Sequence, residues 1–450
     1  MRSLRNDNRR EKKARLQPTG RFVVSALSLC LCAVCILALS SCFEFLWTPE
    51  FPPVEDYTGF EPTPADVWGT LIPGVTETET LTHETTPHDP YVPGSSTYAY
   101  DQLSEQEQEL YRRMKDALMD HSPYIEEGVE DFTHDELWKT HQFVLLDSPE
   151  IFWANGNGTT YTIGSGGDKK STKYEFNYIL DQSDRNARQA QIDAYTGAFL
   201  DSIAQGLDEY GRVLAVYEHL ISDTEYDLGV KAKKAQDIQD DETSASQTIA
   251  SVFIDKKTVC SGYSKATQYL LNKLGVFCIY ITGSAKGEGS GHAWNMVRID
   301  GDYYLLDTTW GNPVNITSPG EKVMTYNYFL LTTGEFNKTH TPDEDIPLPV
   351  CTATRYNYFV YNNLLLDEYD KARVEDIIRN AVAGRKTGAH IKLSDTNEVE
   401  KAVASLFGNE MEIFGILNRA ASIDPALDTT SISHSIDLDA GVIYIEWSYK

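Results

Sequence analysis

The chain has 450 residues, with 39 basic and 67 acidic side chains, 41% apolar residues and a formal net charge of −28 at pH 7. The length predicts two or three folded units, and the composition is that of a globular protein. The acidic excess argues against binding of nucleic acid, or of an anionic bilayer, through a basic face. A solubilising outer surface explains the excess, and attraction of cationic substrates is the alternative.

The first 41 residues have the order of a secretory signal. Residues 1–21 carry eight basic and two acidic side chains, and an uncharged run, Phe22–Leu39, ends in Leu39-Ser40-Ser41-Cys42. This order of basic, apolar and small residues predicts export. The last four residues resemble the lipobox of bacterial lipoproteins, which implies cleavage before Cys42, a lipid on its sulfur and a chain anchored at the membrane facing outward. An uncleaved transmembrane anchor is the alternative, because the apolar run is just long enough to cross a bilayer.

Residues 42–98 are rich in Pro, Thr, Glu and Gly and lack periodicity, which predicts a disordered tether. Residues 99–183 predict an accessory α/β region that begins with a helix at the capping box Ser104–Glu107. The apolar runs Phe143–Leu146 and Ile151–Trp153 favour strands. Glycines between positions 156 and 167 predict turns around another short strand.

Residues 184–345 form the predicted catalytic domain, and residues 346–450 form a small C-terminal α+β domain. Helical spacing predicts two helices over 184–222, whereas the polar segments 223–244 and 337–348 predict connectors. The C-terminal pattern predicts two helices, at 372–382 and 399–407. It also predicts four strands, at 356–361, 391–393, 432–438 and 442–447.

Three cysteines remain after the signal and the lipid site are set aside: Cys260, Cys278 and Cys351. Three thiols do not make a disulfide framework, although one pair could form. Cys278 and Cys351 lie in apolar segments, where inert packing is expected. These three cysteines form no C-x-x-C pair, and the histidines show no metal-ligand spacing, so we predict no metal and no cofactor.

Cys260 opens the sequence Cys-Ser-Gly-Tyr-Ser, and apolar residues at helical spacing follow it as far as Gly275. A cysteine at a helix N-terminus meets unpaired N–H groups and the positive end of the helix dipole. Both favour thiolate over thiol and can lower a thiol pKa from about 8.5 toward roughly 3.5–7.5. A small buried thiol would explain a lone cysteine equally well.

His292 and Asp307 supply the partners that a nucleophilic thiol needs. A glycine-rich loop leads into His292-Ala293-Trp294-Asn295, and Asp300-Gly301 predicts a hairpin whose return strand ends at Asp307. With that turn, Ile299 lies opposite Asp302, so His292 and Asp307 become diagonal neighbours on one face. We expect the helix of Cys260 to pack across that face. A thiol, a base and an acid that orients the base form a nucleophilic triad.

These three blocks resemble the catalytic blocks of the bacterial transglutaminase-like superfamily: Cys-x-Gly-Tyr at Cys260, Gly-His-Ala-Trp-Asn around His292, and Asp-x-Thr-Trp at Asp307. The resemblance covers residues 210–315 and implies an α+β, papain-like core with helices packed on an antiparallel sheet. It also implies that Cys260, His292 and Asp307 form the catalytic triad. Arylamine acetyltransferases share the triad order, but a different block follows their aspartate.

Two further residues are candidates for the cleft. The backbone N–H of Cys260 is the expected oxyanion donor, and Gln247 is a candidate side-chain donor that could instead cap or pack a helix. Trp294 is a candidate shield of the triad from water, although an aromatic residue on a strand is more often part of a core.

The predicted reaction is acyl transfer through a Cys260 thioester, which water resolves in a peptidase or amidase and an amine resolves in a transamidase. Proteins or cell-wall peptides are the expected substrates, and remodelling of peptidoglycan cross-links is one such activity. A non-catalytic surface scaffold that keeps the fold and binds peptide or glycan is the alternative.

Overall fold

The computed structural model describes residues 97–165, 169–203, 206–234, 240–287, 291–312, 324–409 and 411–450. The predicted signal, the lipidation site Cys42 and all but the last two residues of the predicted tether lie outside these ranges. Within them, no helix combines the length and the apolar character that crossing a membrane requires.

Two helices and a three-stranded antiparallel sheet form the N-terminal part. Their bounds are α1 Glu105–Met119, β1 Tyr124–Ile125, α2 His134–Asp147, β2 Ala154–Ser165 and β3 Lys169–Tyr178. The strand order is β1-β3-β2. Capping boxes start both helices, one at Ser104 and one at Thr133, so the predicted box at Ser104 is confirmed.

The predicted strand at Phe143–Leu146 is wrong, because these residues form the end of α2. The predicted strand at Ile151–Trp153 is also wrong, because these residues lie in the connection between α2 and β2. The capping box at Thr133 starts the helix, and Phe143 and Val144 then lie on its buried face. A short apolar run does not distinguish a buried helix from a strand. The glycines predicted as turns are also placed differently. β2 runs through Gly156, Gly158 and Gly164, with a bulge between Ala154 and Gly158 in its pairing with β3.

Six helices and two short strands lead to the central sheet. Their bounds are α3 Gln182–Ser202, α4 Glu209–Asp223, β4 Glu225–Tyr226, α5 Leu228–Lys234, α6 Asp241–Ala245, α7 Ile249–Phe253, β5 Lys257–Thr258 and α8 Cys260–Lys273. The two helices predicted over 184–222 are confirmed as α3 and α4. The segment 223–244 is more ordered than the predicted connector. Its strand β4 pairs in parallel with β5, which brings Tyr226 beside Thr258, two residues before Cys260.

The central sheet is antiparallel and has the order β8-β7-β6-β9. Its elements are β6 Cys278–Ala285, β7 His292–Ile299, β8 Asp302–Leu306, the short helix α9 Thr333–Phe336 and β9 His340–Pro342. The hairpin turns at Asp300 and Gly301, both with positive φ, and Ile299 pairs with Asp302, which confirms the predicted register. The segment 337–348, predicted as a connector, contains the edge strand β9.

The C-terminal part has an apolar core of its own, which begins at Leu366 and ends at Trp447. Its elements are α10 Tyr358–Tyr361, β10 Leu365–Leu366, α11 Lys371–Ala383, β11 Gly388–Leu393, α12 Thr396–Phe407, α13 Glu412–Ala420, β12 Ser433–Asp437 and β13 Val442–Glu446. The sheet order is β10-β11-β13-β12. The strand predicted over 356–361 is wrong, because Asn357 caps the helix α10 there. Sequence analysis did not predict the helix α13 either.

Helices α4, α7 and α8 share one apolar core with the N-terminal helices and with one face of the central sheet. A smaller cluster, which includes Trp294 and Met296, covers the other face of the sheet. Helices packed on an antiparallel sheet make this an α+β fold of the papain-like kind, as expected.

Candidate active site

Cys260 is the first residue of α8, as the sequence predicts. Val259 precedes it and has no side chain that can accept a hydrogen bond, so the N–H groups of the first turn have no side-chain cap. Glycine is required at position 262, because a Cβ there would overlap the hydroxyl of Thr258. Because the turn has no side-chain cap, free backbone donors and the positive end of the helix dipole lie next to the Cys260 side chain.

Helix α8 packs on the opposite face of β7 from the one we expected. The side-chain amide of Asn295 donates to the backbone carbonyl of Ser264 in α8, at 2.9 Å, so Asn295 faces the helix. Trp294 alternates with it and faces the smaller apolar cluster on the far side. His292 nevertheless contacts Cys260, because it is the first residue of the strand and its ring lies at the end of the sheet.

His292 has a partner on each side of its ring. Its Nε2 lies 2.7 Å from Oδ2 of Asp307, which confirms the predicted contact between the two strands. The ring also lies close enough to the Cys260 side chain for hydrogen bonding and charge to shift the pKa of each group. Because Nε2 is engaged by Asp307, Nδ1 is the nitrogen left for the sulfur. The acid therefore holds the ring in the orientation that presents Nδ1 to the thiol.

Asp307 lies just beyond the end of β8 and is fully buried. Its Oδ1 accepts from the backbone N–H groups of Thr309, at 2.8 Å, and Trp310, at 3.1 Å. Its own N–H donates to the carbonyl of Tyr328. The turn that follows the strand thus folds back onto the carboxylate, fixes one of its oxygens and leaves Oδ2 for His292.

The electrostatics of the three groups favour separated charges. Burial alone would raise the pKa of the Cys260 thiol, but its hydrogen bond to His292 and the charges of His292 and Lys234 lower it below the ordinary value. Burial would lower the pKa of His292, yet the charge and hydrogen bond of Asp307 raise it to about 10. Burial would also raise the pKa of Asp307, and the imidazole of His292 holds it well below its usual range. A thiolate beside an imidazolium is therefore the favoured state.

A second histidine, His340, reaches the same carboxylate. Its Nε2 lies 3.3 Å from Oδ2 of Asp307, and its side chain is completely buried. Among the described residues, His292, Asp307 and His340 form a group whose ligand atoms lie within 4.8 Å of one another and which could hold a metal ion. The 2.7 Å separation between His292 and Asp307 equally fits a shared proton. Sequence analysis missed His340, because it follows Asp307 by 33 residues in a segment predicted as a connector.

The two candidate cleft residues lie in different places. Gln247 is partly buried, and its amide donates to the carbonyl of Thr243 at 3.0 Å. Its neighbour Ser246 accepts through its carbonyl from the N–H of Val259, so the chain here runs beside the head of α8. Trp294 is buried, and its ring centroid lies 6.0 Å from that of His292. It backs the imidazole from the side of the sheet that faces away from α8.

The remaining described cysteines are free and have no counterpart of this environment. Burial raises the pKa of Cys278 well above its ordinary value. Burial also raises the pKa of Cys351, to about 11. Neither thiol is activated by a neighbouring imidazole.

Comparison with known proteins gives an independent view of the same region. Residues 199–348 match the family described as "Transglutaminase-like domain". Kyphoscoliosis peptidase of Mus musculus is 28% identical over 178 residues, which are 37% of this chain and 26% of that protein. Its Homo sapiens counterpart is 29% identical over 171 residues, or 34% and 24% of the two chains. The chain thus spans about a quarter of the length of these curated relatives.

Two solved structures also align in part. A structure described as a TGase aligns with a TM-score of 0.26 and 16% identity, over 38% of this chain and 46% of that one. A candidate cysteine protease from Cytophaga hutchinsonii aligns with a TM-score of 0.22 and 14% identity, over 34% of this chain and 62% of that one.

Proposed function

Because the chain carries a transglutaminase-like domain, we propose that it is a cell-surface lipoprotein whose thiol acyl-transfer domain acts on amide bonds of proteins or cell-wall peptides. The observation that carries the proposal is the placement of His292 between two partners: it is hydrogen-bonded to Asp307 and lies next to the Cys260 side chain, whose pKa it lowers. In this proposal Cys260 is the nucleophile, His292 is the acid and base, and Asp307 orients His292.

The reaction begins when the Cys260 thiolate attacks the carbonyl carbon of the amide. The C–N bond of the tetrahedral adduct then breaks, and the leaving amine takes the proton of the His292 imidazolium. The product of this half-reaction is a thioester on Cys260. Water or a second amine next attacks the thioester and gives its proton to neutral His292, which restores the thiolate and imidazolium pair.

The uncapped first turn of α8 supplies the oxyanion donor in this scheme. The backbone N–H of Cys260 lies at a helix start that no side chain caps, so it is available to the developing negative charge. Gln247 stays a candidate second donor, because the segment that contains it runs beside Val259. Its amide has two N–H groups, of which one is directed to Thr243.

Trapping the acyl-enzyme tests the proposal. The full chain is exposed to native cell-wall and surface-protein fractions, and the peptide that contains Cys260 is examined by mass spectrometry. We expect an adduct on Cys260 that hydroxylamine removes, as it does a thioester, and that persists in Cys278→Ala. A Cys260 that stays unmodified, with no amide bond cleaved or exchanged in these fractions, would favour the non-catalytic scaffold instead.

Addition of a diamine such as cadaverine separates the two activities. A transamidase transfers the acyl group from Cys260 to the diamine, whereas a hydrolase releases the free acid at an unchanged rate. The name of the mammalian relative, a peptidase, is consistent with hydrolysis. The acidic surface instead favours recruitment of amine substrates, because an excess of 28 negative charges attracts cations.

The surface location rests on the sequence Leu39-Ser40-Ser41-Cys42. In Cys42→Ala we expect the lipid to be lost, with the protein either released in processed form or left with its signal uncleaved. The measurement is metabolic labelling with a fatty acid followed by membrane fractionation. Unchanged labelling and unchanged membrane retention in this variant would contradict the proposed anchor.

A further inference from the structure

His340 has no role in the triad, yet it is among the most completely enclosed polar side chains near the site. It begins the edge strand β9, where it pairs with Ala285 of β6. Four aromatic rings surround its imidazole at centroid distances between 4.1 and 5.4 Å: Trp294, Trp310, Tyr328 and Phe336. An imidazole is costly to bury in such surroundings unless its nitrogens have partners.

Both ring nitrogens of His340 have partners. Nε2 lies 3.3 Å from Oδ2 of Asp307, and Nδ1 lies 2.9 Å from the hydroxyl of Thr339. An ionised carboxylate can only accept, so the proton of the first bond belongs to His340 Nε2. The hydroxyl of Thr339 also lies 3.3 Å from the carbonyl of Phe336, to which it can donate.

The hydroxyl of Thr339 therefore has a partner on each side, Nδ1 of His340 and the carbonyl of Phe336. These contacts fix the orientation of the ring in which Nε2–H donates to Asp307.

The net charge of the buried site explains why a donor from His340 would be stabilising. With a thiolate on Cys260, an imidazolium on His292 and a carboxylate on Asp307, the three groups carry one net negative charge away from water. A negative charge in such an environment is costly unless hydrogen-bond donors or a cation offset it. His340 is the one described side chain besides His292 for which the structure gives a hydrogen bond to the carboxylate of Asp307.

We propose that His340 is a positioning residue for the thiol chemistry: its Nε2–H fixes Oδ2 of Asp307 against His292 and keeps that carboxylate ionised. The proposal rests on the proposed function only in taking Cys260 as the nucleophile. Without the second donor, the carboxylate of Asp307 loses part of its orientation, His292 is held less firmly in its charged form, and the Cys260 thiolate loses stabilisation. In the described part of the chain, the titratable and charged groups that face this network include Tyr328 beside His340, Tyr217 near Asp307, and Tyr280 and Lys234 near the Cys260 sulfur.

The test is the pH dependence of Cys260 alkylation by iodoacetamide, followed by mass spectrometry in the full chain. His340→Phe keeps the ring volume and removes the donor, so we expect the alkylation midpoint to rise by about one pH unit, which is tenfold less thiolate below the midpoint. His340→Gln keeps an N–H donor, so its alkylation midpoint should lie close to that of the wild type. Thr339→Val keeps the imidazole and should give a smaller rise.

A matched control separates positioning from packing. His141 is another completely buried histidine, bonded through Nδ1 to the hydroxyl of Tyr174 and distant in sequence from the triad. His141→Phe should lower thermal stability and leave the Cys260 midpoint unchanged. If His340→Phe, or Thr339→Val where the former does not fold, has the wild-type midpoint, His340 is only structural and the inference is wrong. If the wild-type midpoint itself is that of an ordinary thiol, the proposed function fails as well.

Discussion

Cys260 and Cys278 are both buried, with exposed fractions of 3% and 0%, on elements that pack against each other, yet their thiols differ in kind. Burial raises the pKa of Cys278 well above its ordinary value, because its surroundings offer no positive charge. The same burial acts on Cys260, but the hydrogen bond and charge of His292 reverse the direction of the shift. Burial alone therefore makes a thiol inert, and a paired imidazole is what makes it reactive.

The elements that hold the two cysteines explain the difference. Cys278 begins β6 and faces the apolar core that the sheet shares with α8. Cys260 begins α8, where the first-turn N–H groups have no side-chain cap. His292 at the start of β7 and Asp307 just after β8 are hydrogen-bonded to each other beside it. Eight described helices, by contrast, start at a serine, threonine or aspartate whose side chain accepts a backbone N–H. The N-terminus of α8 has no such side-chain cap, so its first-turn N–H groups stay available.

Asp307→Asn is expected to cause the largest loss of activity at the Cys260 site. The substitution keeps the shape of the side chain and removes its charge, so His292 loses both the cause of its raised pKa and its fixed tautomer. We expect kcat for amide turnover to fall by roughly 10⁴-fold, the order found when the acid of such a triad is neutralised. The measurement is steady-state turnover of the acyl donor identified on Cys260.

Asp302→Asn is the matched control, since Asp302 is an exposed acid at the start of the same strand. It should leave turnover within about twofold of the wild type, because a surface charge contributes little there. Equal losses in the two variants would mean that the effect of Asp307→Asn comes from the strand rather than from the triad.

A smaller, graded effect is expected from pH. The pKa of His292 is raised from 6.5 to about 10, so the imidazolium is present at neutral pH and is lost as pH rises through that value. Loss of the proton removes the acid that the leaving amine needs, so kcat should fall about tenfold per unit above it. The profile of kcat against pH measures this limb, and a limb near pH 7 would contradict the charged pair.

The same shift sets a stability window. A group whose folded pKa lies above its unfolded value stabilises the fold fully below the unfolded value, and the contribution disappears as pH rises through the folded one. The contribution of His292 to the stability of the fold is therefore lost between about pH 6.5 and pH 10. Asp307 acts in the opposite direction: its lowered pKa gives a contribution that is present above the unfolded value and is lost on strong acidification.

The sequence predicted the parts of the site that depend on local pattern. Helical spacing after Cys260 gave the start of α8, and Asp300-Gly301 gave a hairpin register in which His292 meets Asp307. Both follow from short-range geometry, since a two-residue turn fixes which strand positions share a face. The roles of these residues and of Gln247 stay predictions until activity is measured.

The parts that the sequence missed depend on tertiary packing. Phe143–Leu146 is an apolar run whose assignment turns on a capping box ten residues earlier, and it forms a helix rather than a strand. The face of β7 on which α8 packs carries Val297, which is buried in the same apolar core as α8, and no local sequence pattern identifies that face. His340 lies in a three-residue edge strand, too short to give a period, so its contact with Asp307 could only be found in three dimensions.

Competitive alkylation of the three free thiols tests the central claim most directly. The full chain is treated with limiting iodoacetamide across a pH series, and modification of Cys260, Cys278 and Cys351 is followed by mass spectrometry. The account predicts that Cys260 reacts first at mildly acidic pH, with a midpoint below the ordinary thiol value of about 8.5, while the other two stay unmodified. Equal modification of the three thiols, or a Cys260 midpoint near the ordinary value, would contradict an activated nucleophile at the head of α8.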